Sequence, residues 1–325
     1  MSPSPATPLR IDLPFPSEGG TVNAYLFLEP EPILVDTGDN SEPAWEALQA
    51  GLAAHGLTNG DLAKIVITHG HIDHFGNAAR LLDESDAELL VLDIGAEWLT
   101  NFAVRWRERQ SYYRDEFLVL SGLPGPVAER VMGYFDGIAA TYRGVPADRV
   151  RTFADGDSLD LGGAPWKVMH TPGHASMHSC FYQPHSRAFL AGDMLLAVTP
   201  TPVVEAPPPG AERIPALPLF VDSLATVDAL DIAMVYPGHG APFENYRTVI
   251  QRQRQRLEER KGECLAFVRE GVSSLFELFV LMYPGRAERV GLAGIWMVVG
   301  YLDLLQSEGL VGVAVQNGHW SYRVV

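Results

Sequence analysis

Four side chains that can bind a metal ion fall within six residues of this chain, in the segment HGHIDH at positions 69–74. Neutral imidazoles together with a carboxylate are preferred ligands of zinc and of similar divalent metals. The β-branched run before this segment, residues 64–68, predicts a short buried strand, and residues 75–82 predict the beginning of a helix. The segment therefore lies on a loop that leaves a strand, where α/β proteins usually carry their chemistry. A surface turn that binds metal adventitiously is the competing interpretation.

Three more candidate ligands each follow an apolar run that predicts a strand. They are His174 in the segment TPGH, Asp193 in AGD and His239 in YPGHG. The full set contains seven side chains: His69, His71, Asp73, His74, His174, Asp193 and His239. Seven ligands suffice for two metals when three bind each ion and one carboxylate bridges them, which leaves coordination positions open for water. Open positions are typical of catalytic sites, so a protein that keeps metals only for structure is disfavoured.

The ligand order HxHxDH, followed by His, Asp and His, resembles the metallo-β-lactamase-fold hydrolases over about residues 20–245. The neighbours Thr68 and Gly76 are similar to the glyoxalase II branch of that superfamily, and the segment LVDTG at residues 34–38 also resembles the family. The resemblance implies an α/β fold of four layers, αββα. His71 stands where the similar flavodiiron proteins carry a glutamate, which favours hydrolysis over redox chemistry on iron.

The same resemblance implies a role for each of the seven side chains. It assigns one metal to His69, His71 and His174, a second metal to Asp73, His74 and His239, and the bridging position to Asp193. Two divalent ions are expected, zinc by default, although iron or manganese suits the same ligands. Such a pair turns a bridging water into the hydroxide nucleophile, and Asp73 is expected to orient this water or accept its proton.

Three polar residues near the ligands are open to two interpretations each. Asp36 either braces a ligand histidine, as the resemblance implies, or forms a turn after the preceding strand. His170 and His178 flank His174 without belonging to the ligand pattern. For both, ordinary packing is favoured over contact with a ligand.

The chain of 325 residues has a formal net charge of −16 at pH 7, and 47% of its residues are hydrophobic. The acidic balance opposes the phosphate neutralisation on which nucleic-acid binding depends, so a small-molecule substrate is favoured. No long uncharged apolar run suggests a membrane span, and the N-terminus lacks the basic and apolar regions of a secretory signal. Cys180 and Cys264 are predicted to be free thiols, which fits a reducing, cytoplasmic location.

Three parts are expected along the chain. Residues 1–18 predict a disordered arm, residues 19–245 the catalytic domain, and residues 246–325 a helical linker with a small winged-helix-like α+β domain. The last part is predicted from two helices followed by strands around Asn317-Gly318, a strong hairpin signal. Acidic residues outnumber basic ones between positions 273 and 325, which favours a structural cap or an element of a homodimer over nucleic-acid binding.

Two segments are expected to surround the ligands. Residues 95–145 are rich in aromatic residues and predict two or three inserted helices, with a break near residues 123–126. Their aromatic side chains either form the core of the insertion or wall the site as a lid for an apolar acyl group. The proline-rich stretch 199–218 begins shortly after Asp193 and predicts either a rigid side of the substrate cleft or a plain surface loop.

The favoured function is hydrolysis of a small thioester, ester or lactone with an apolar acyl group. No basic motif for glutathione is recognisable, and no tyrosine follows Asp193 closely, which weakens the lactonase variant. The alternative is a metal-dependent ribonuclease or phosphodiesterase, because some similar proteins with such a C-terminal build act on RNA. A wide apolar pocket under the insertion favours acyl substrates, whereas an open basic groove favours phosphodiesters.

Overall fold

A mixed sheet of six strands forms the first part of the fold. In the computed structural model, which describes residues 7–15, 20–208 and 210–325, these strands lie side by side in chain order. They are β1 (Leu9–Phe15), β2 (Gly20–Phe27), β3 (Ile33–Val35), β4 (Lys64–Ile67), β5 (Glu88–Leu92) and β6 (Val150–Phe153). The strands β1 to β3 pair antiparallel, and β3 to β6 pair parallel. The first parallel connections contain α1 (Glu42–Ala53), α2 (Ile72–Phe75) and α3 (Ala78–Glu84).

Helices occupy the long connection between the neighbouring strands β5 and β6. They are α4 (Ala96–Thr100), α5 (Phe102–Tyr112), α6 (Leu118–Leu120) and α7 (Gly125–Thr141), with a π-helical segment at Tyr113–Phe117. The chain turns between α6 and α7, where Gly122 has a φ of 64° and Pro124 precedes α7. The helices predicted for residues 95–145 are therefore present, and the break lies where the sequence places it.

The second sheet has five strands in the order β11-β10-β9-β8-β7. They are β7 (Ser158–Asp160), β8 (Pro165–His170), β9 (Ser179–Gln183), β10 (Ala188–Gly192) and β11 (Met234–Pro237). All neighbours pair antiparallel except β10 and β11, whose parallel connection contains α8 (Ala216–Asp228). The described part of the proline-rich stretch before α8 forms no regular element.

The two sheets face each other through a buried cluster of their own side chains. Trp166, Phe181 and Leu190 of the second sheet pack with Phe27 and Val66 of the first. Because side chains alternate along a strand, the residues between these point to the outer faces and join the larger cluster formed with the helices. The fold is thus an α/β arrangement of two mixed sheets with helices on their outer sides.

The chain after β11 is mainly helical and ends in a hairpin. It contains α9 (Tyr246–Arg269), α10 (Leu275–Met282), α11 (Ala287–Ser307), β12 (Val311–Gln316) and β13 (His319–Val324). Asn317 and Gly318 join the two strands with positive φ angles of 52° and 83°, as a two-residue hairpin turn requires. The predicted order of helices and hairpin is confirmed, and the identity of a winged-helix-like domain stays a prediction.

Helix α11 is long and apolar enough to cross a membrane, with a mean hydropathy of 1.4. It is not a long uncharged run, because Asp303 interrupts its apolar sequence. Within the fold, 61% of this apolar window is buried, and α11 packs on α8, α9 and α10. Such burial is typical of a core helix.

The prediction of a disordered arm over residues 1–18 is wrong for Leu9–Phe15, which form β1. This strand pairs with β2 along its whole length, with Leu9 opposite Leu26 and Phe15 opposite Gly20. Its alternating side chains explain the ordering, because Ile11 and Leu13 are buried on the side that α1 covers. Residues 1–6 and 16–18 of the expected arm lie outside the described residues.

Candidate metal centre

Strand ends from both sheets bring the seven predicted side chains to one edge of the fold. His69 and His71 follow β4, and α2, which begins directly afterwards, carries Asp73 and His74. The other three residues follow the ends of β8, β10 and β11 in the second sheet. The cluster is therefore shared between two sheets, and its geometry depends on how the sheets face each other.

His69, His71 and His174 form one group whose candidate ligand atoms all lie within 4.8 Å of one another. His69 Nε2 lies 3.0 Å from His71 Nδ1. His174 Nε2 lies 3.4 Å from Asp193 Oδ2, so the group extends towards the second half of the cluster. The three imidazoles converge as ligands of a single ion would.

Asp73, His74 and His239 form another group of the same dimensions. His239 Nε2 lies 3.3 Å from Asp73 Oδ2 and 3.3 Å from Asp193 Oδ2. His74 Nε2 lies 3.4 Å from Asp193 Oδ1. Asp193 thus stands between the two groups with its oxygens directed to both, which is the geometry that a bridging carboxylate needs.

Several buried polar atoms of this cluster lack a hydrogen-bond partner among the described residues. They are His71 Nε2, His74 Nε2, His174 Nε2 and Asp193 Oδ1. An unpaired buried polar atom costs about 1–3 kcal/mol, so their concentration at one place is unfavourable unless a bound group completes it. Imidazole nitrogens and carboxylate oxygens suit divalent metals, and the residues present therefore fit a metal site.

Backbone carbonyl groups fix the orientation of two imidazole rings. His174 Nδ1 lies 2.8 Å from Thr201 O, and His239 Nδ1 lies 2.7 Å from Thr21 O. Because a carbonyl oxygen can only accept, each Nδ1 carries the proton. In the neutral form of each ring the lone pair of Nε2 then faces the cluster, which is the tautomer that metal binding requires.

Asp36 orients the ring of His74 in a similar way. Its Oδ2 atom accepts a hydrogen bond from His74 Nδ1 at 2.7 Å, and its Oδ1 atom accepts from the Thr68 N–H at 2.9 Å. The residue is buried and has a φ of 61°, a conformation uncommon for any residue other than glycine. Of the two interpretations of Asp36, the structure supports direct contact with a candidate ligand.

His178 holds the backbone at Asp193, a role that the sequence does not reveal. Its Nε2 atom accepts a hydrogen bond from the Asp193 N–H at 3.0 Å, and its Nδ1 atom lies 2.8 Å from Thr171 Oγ1. Gly192 makes room for this ring, since a Cβ there would lie 2.7 Å from His178 Nε2. The favoured packing interpretation is therefore incomplete for His178, whereas the Nε2 atom of His170 lies 2.7 Å from Ser176 O, which is not a candidate ligand.

Burial and mutual charge set the ionisation of the cluster. Burial lowers the pKa of His69 and of His71 well below the usual value, and neighbouring imidazoles lower both further. Burial opposes ionisation of Asp193, but the charges of His74 and His239 hold the pKa of its carboxyl well below the usual range. His69 and His71 are therefore neutral and can offer lone pairs, while Asp193 is anionic.

Gly238 allows β11 to approach the other ligands closely. A Cβ at this position would lie 2.1 Å from Asp193 Oδ1 and 2.9 Å from His74 Cε1. Any larger residue would displace the carboxylate that lies between the two groups. The glycine before His239 is therefore a steric requirement of the cluster.

A cavity of about 420 Å³ opens over the cluster. We call the seven candidate ligands the floor, and five of them line the cavity. We call the other side the wall, which consists of the three segments that supply most of the apolar residues of the cavity. These are Trp106, Tyr134, Phe135 and Ile138 of the insertion, Leu196, Val198, Pro200 and Val203 of the loop after β10, and Ala293 and Trp296 of α11. Trp106 and Phe135 are buried in the core of the insertion and also line the cavity, so the insertion walls the site, whereas its role as a lid for an acyl group stays a prediction.

Tyr113 links the three segments of the wall. Its hydroxyl donates a hydrogen bond to Val204 O at 2.6 Å and accepts one from Trp296 Nε1 at 2.7 Å. A buried ion pair adds a second link, in which Arg213 Nη1 lies 2.8 Å from Asp303 Oδ2 of α11. The insertion, the proline-rich stretch and the C-terminal helices are thereby joined around one cavity.

The family of the chain follows from its sequence similarity. A family model of the metallo-beta-lactamase superfamily matches residues 18–239, and the chain belongs to this superfamily. The probable metallo-hydrolase YqjP of Bacillus subtilis is 28% identical over 306 residues, which cover 92% of this chain and 92% of YqjP. An atrochrysone carboxyl ACP thioesterase of Aspergillus fumigatus is 24% identical over 246 residues, which cover 76% of this chain but only 59% of the thioesterase.

Two crystal structures share the whole fold. The metallo-beta-lactamase family protein TTHA1429 from Thermus thermophilus superposes with a TM-score of 0.79 at 26% identity, covering 98% of each chain. A beta-lactamase domain protein from Burkholderia ambifaria has a TM-score of 0.76 at 22% identity, covering 98% of this chain and 92% of that one. At this coverage the similarity includes the C-terminal helices and hairpin. A specific relation to glyoxalase II stays a prediction.

Proposed function

We propose that this protein is a binuclear metal-dependent hydrolase that cleaves a thioester, ester or lactone with an apolar acyl group. The observation that carries the proposal is the position of the His/Asp cluster at the floor of an apolar cavity. Divalent ions bound there, with zinc as the default, would supply an activated water and polarise the carbonyl oxygen of the substrate. Membership in the superfamily and similarity to a probable metallo-hydrolase support the same reaction class.

In this proposal the floor residues have distinct tasks. His69, His71 and His174 hold one ion, and Asp193 lies between the two groups as the bridge. Asp73 belongs to the second group and also lines the cavity, with its Oδ2 atom 3.3 Å from His239 Nε2. Its carboxylate is therefore placed to accept a proton from the attacking water as well as to bind metal.

The composition of the wall is the reason that we propose acyl substrates. Its side chains are mostly aromatic or aliphatic, and they can exclude water and contact a hydrocarbon chain. A phosphodiester site would instead need several basic residues, whereas Arg109 is the sole Lys or Arg among the described residues that line this cavity. Thioesters are our first choice among acyl substrates because the similar fungal protein is a thioesterase.

The proposal is tested with metal-loaded protein and a panel of acyl N-acetylcysteamine thioesters, p-nitrophenyl esters and lactones. We expect turnover of at least one class, loss of turnover in His69→Ala, and retention in His55→Ala, a matched change at an exposed histidine outside the site. Metal content should fall in the first variant only. No turnover above the His69→Ala background on any of these substrates would overturn the proposal, and turnover of bis(p-nitrophenyl) phosphate alone would favour a phosphodiesterase.

A further inference from the structure

Arg109 of α5 is a buried cation without an acidic partner. Arg109 is only 6% exposed, and it lines the cavity from the side of the insertion. Its Nε atom is buried without a hydrogen-bond partner, and Arg109 forms no ion pair with any described residue. Removing a guanidinium from water in this way costs several kcal/mol unless a counter-charge is present.

Aromatic rings surround the guanidinium of Arg109. Its Cζ atom lies 5.4 Å from the ring centre of Trp106, 5.7 Å from that of Trp98 and 5.8 Å from that of Phe135. The hydroxyl of Tyr113 is a neutral hydrogen-bond partner of the guanidinium and supplies no counter-charge. Cation–π contacts at such distances recover about 0.5–2 kcal/mol, which offsets part of the desolvation cost and leaves the charge uncompensated.

A second, largely buried arginine has a different environment. Arg213 is also largely buried, but both of its terminal nitrogens bond to the carboxylate of Asp303. Arg213 therefore has its own carboxylate, whereas Arg109 has none among the described residues. The comparison leaves Arg109 as a buried cation that a carboxylate of a bound molecule could pair with.

Arg109 is also close to the floor. It lines the cavity together with His71, and its charge is one of the causes that lower the pKa of His71, after burial and His174. The carboxylates that line the same cavity, Asp73 and Asp193, belong to the floor. An anion bound by Arg109 would therefore lie beside the reacting group, within the same 420 Å³ space.

We propose that Arg109 binds a carboxylate carried by the acyl group of the substrate. The planar guanidinium can donate two parallel hydrogen bonds to a carboxylate, and a single cation matches a single negative charge. The acyl chain between the carboxylate and the scissile carbonyl lies against the apolar wall. This inference rests on the proposed hydrolase function of the same cavity and names its substrate class, an ω-carboxyacyl thioester or ester.

The kinetic test uses malonyl, glutaryl and adipoyl thioesters of N-acetylcysteamine, each beside its neutral methyl ester. We expect at least one chain length to be preferred over its methyl ester by tenfold or more in kcat/KM. Arg109→Met should reduce this preference by about 10–100-fold, since hydrogen bonds to charged groups contribute about 1.5–3 kcal/mol. Arg107→Met, a change at an exposed arginine of the same helix, should leave the preference unchanged.

A binding measurement separates this inference from the hydrolase proposal. Calorimetry with malonate, glutarate and adipate on the metal-loaded protein should show binding that weakens tenfold or more in Arg109→Met, whether or not any thioester is cleaved. Arg109-dependent binding without hydrolysis would support the carboxylate site and contradict the hydrolase. Hydrolysis and binding that are both unaffected by Arg109→Met, or by Arg109→Gln if the first variant does not fold, would overturn the inference and leave the hydrolase standing.

Discussion

The floor and the wall of the cavity are built in opposite ways. Each floor residue lies a few positions after a strand, and a nearby carboxylate or backbone carbonyl orients several of the rings. The wall comes from three segments that are far apart in the sequence and meet through Tyr113, Val204 and Trp296. Under the proposed function, the reaction depends on local geometry at strand ends, whereas substrate choice depends on long-range contacts.

Variants of the floor and variants of the wall should therefore have different effects. A change in the floor should abolish metal binding or the reaction while the fold survives, because the sheets have their own core. A change in the wall should alter stability or selectivity while the metal content survives. The following variants are ordered from the largest expected effect to the smallest.

Asp193→Asn should have the largest effect, because it weakens the carboxylate that lies between the two groups. We expect a fall in turnover on the order of 10⁴-fold, since groups that act as a unit lose most of the rate when one is removed. Metal analysis should show fewer than two ions per chain. Asp83→Asn, at an exposed aspartate, is the matched control. Full activity and full metal content in Asp193→Asn would show that the floor has been assigned wrongly.

Arg213→Met should destabilise the wall. Removing one partner of a buried ion pair costs about 3–5 kcal/mol, which urea unfolding would detect. Burial raises the pKa of Asp303 and Arg213 opposes this rise, so the pKa rises further in the variant. The loss of stability should therefore be smallest at acidic pH, where Asp303 takes up a proton, and should grow as the pH rises. Adding Asp303→Asn should recover much of it, and an equal loss at pH 5 and pH 8 would contradict this account.

Asp36→Asn should weaken metal binding without removing a ligand. The variant replaces the carboxylate that accepts from His74 Nδ1, and loss of such a supporting hydrogen bond lowers metal affinity about 10–100-fold. Competition with a chelator would measure the change. The Asp12→Asn variant, at an exposed position of β1, should behave as the parent protein. Unchanged metal affinity in Asp36→Asn would show that Asp36 does not contribute to metal binding by the floor.

Trp296→Ala should have the smallest effect on the reaction and a visible effect on selectivity. It enlarges the cavity from the side of α11, so longer acyl chains should gain over acetyl by about tenfold in kcat/KM. Metal content should not change. Trp320→Ala, in the hairpin, removes a tryptophan that does not line the cavity. Equal selectivity in both variants would argue that α11 takes no part in substrate contact.

The floor could be predicted from the sequence because its signals are local. Ligand types, short spacings and the apolar strands before them stand next to each other along the chain, and the resemblance to a family assigns them roles. Local signals do not identify the role of His178. Its ring accepts a hydrogen bond from the backbone N–H of Asp193, whereas the ring of His170 lies beside Ser176 O, and nothing in the sequence around the two histidines distinguishes them.

The wall could be predicted only in part, because the positions of the insertion and of the proline-rich stretch suggest that they surround the ligands, but the contacts that join them to α11 have no local signal. Nothing near Tyr113 indicates that its hydroxyl contacts both Val204 and Trp296, and nothing near Arg213 indicates Asp303 as its partner. Such pairs depend on the three-dimensional path of the chain. The strand β1 is a different case, because its alternating apolar residues are a local signal that the proline-rich start of the chain obscured.

Because Ala293 and Trp296 of α11 lie in the cavity wall, the C-terminal helices contribute to the surface that would select a substrate. The superfamily match ends at residue 239, yet α11 supplies part of the surface that a substrate would contact. A shortened protein that keeps every candidate ligand would lose part of its specificity. Transplanting the substrate range of this protein onto a relative would accordingly require exchanging the C-terminal helices together with the insertion.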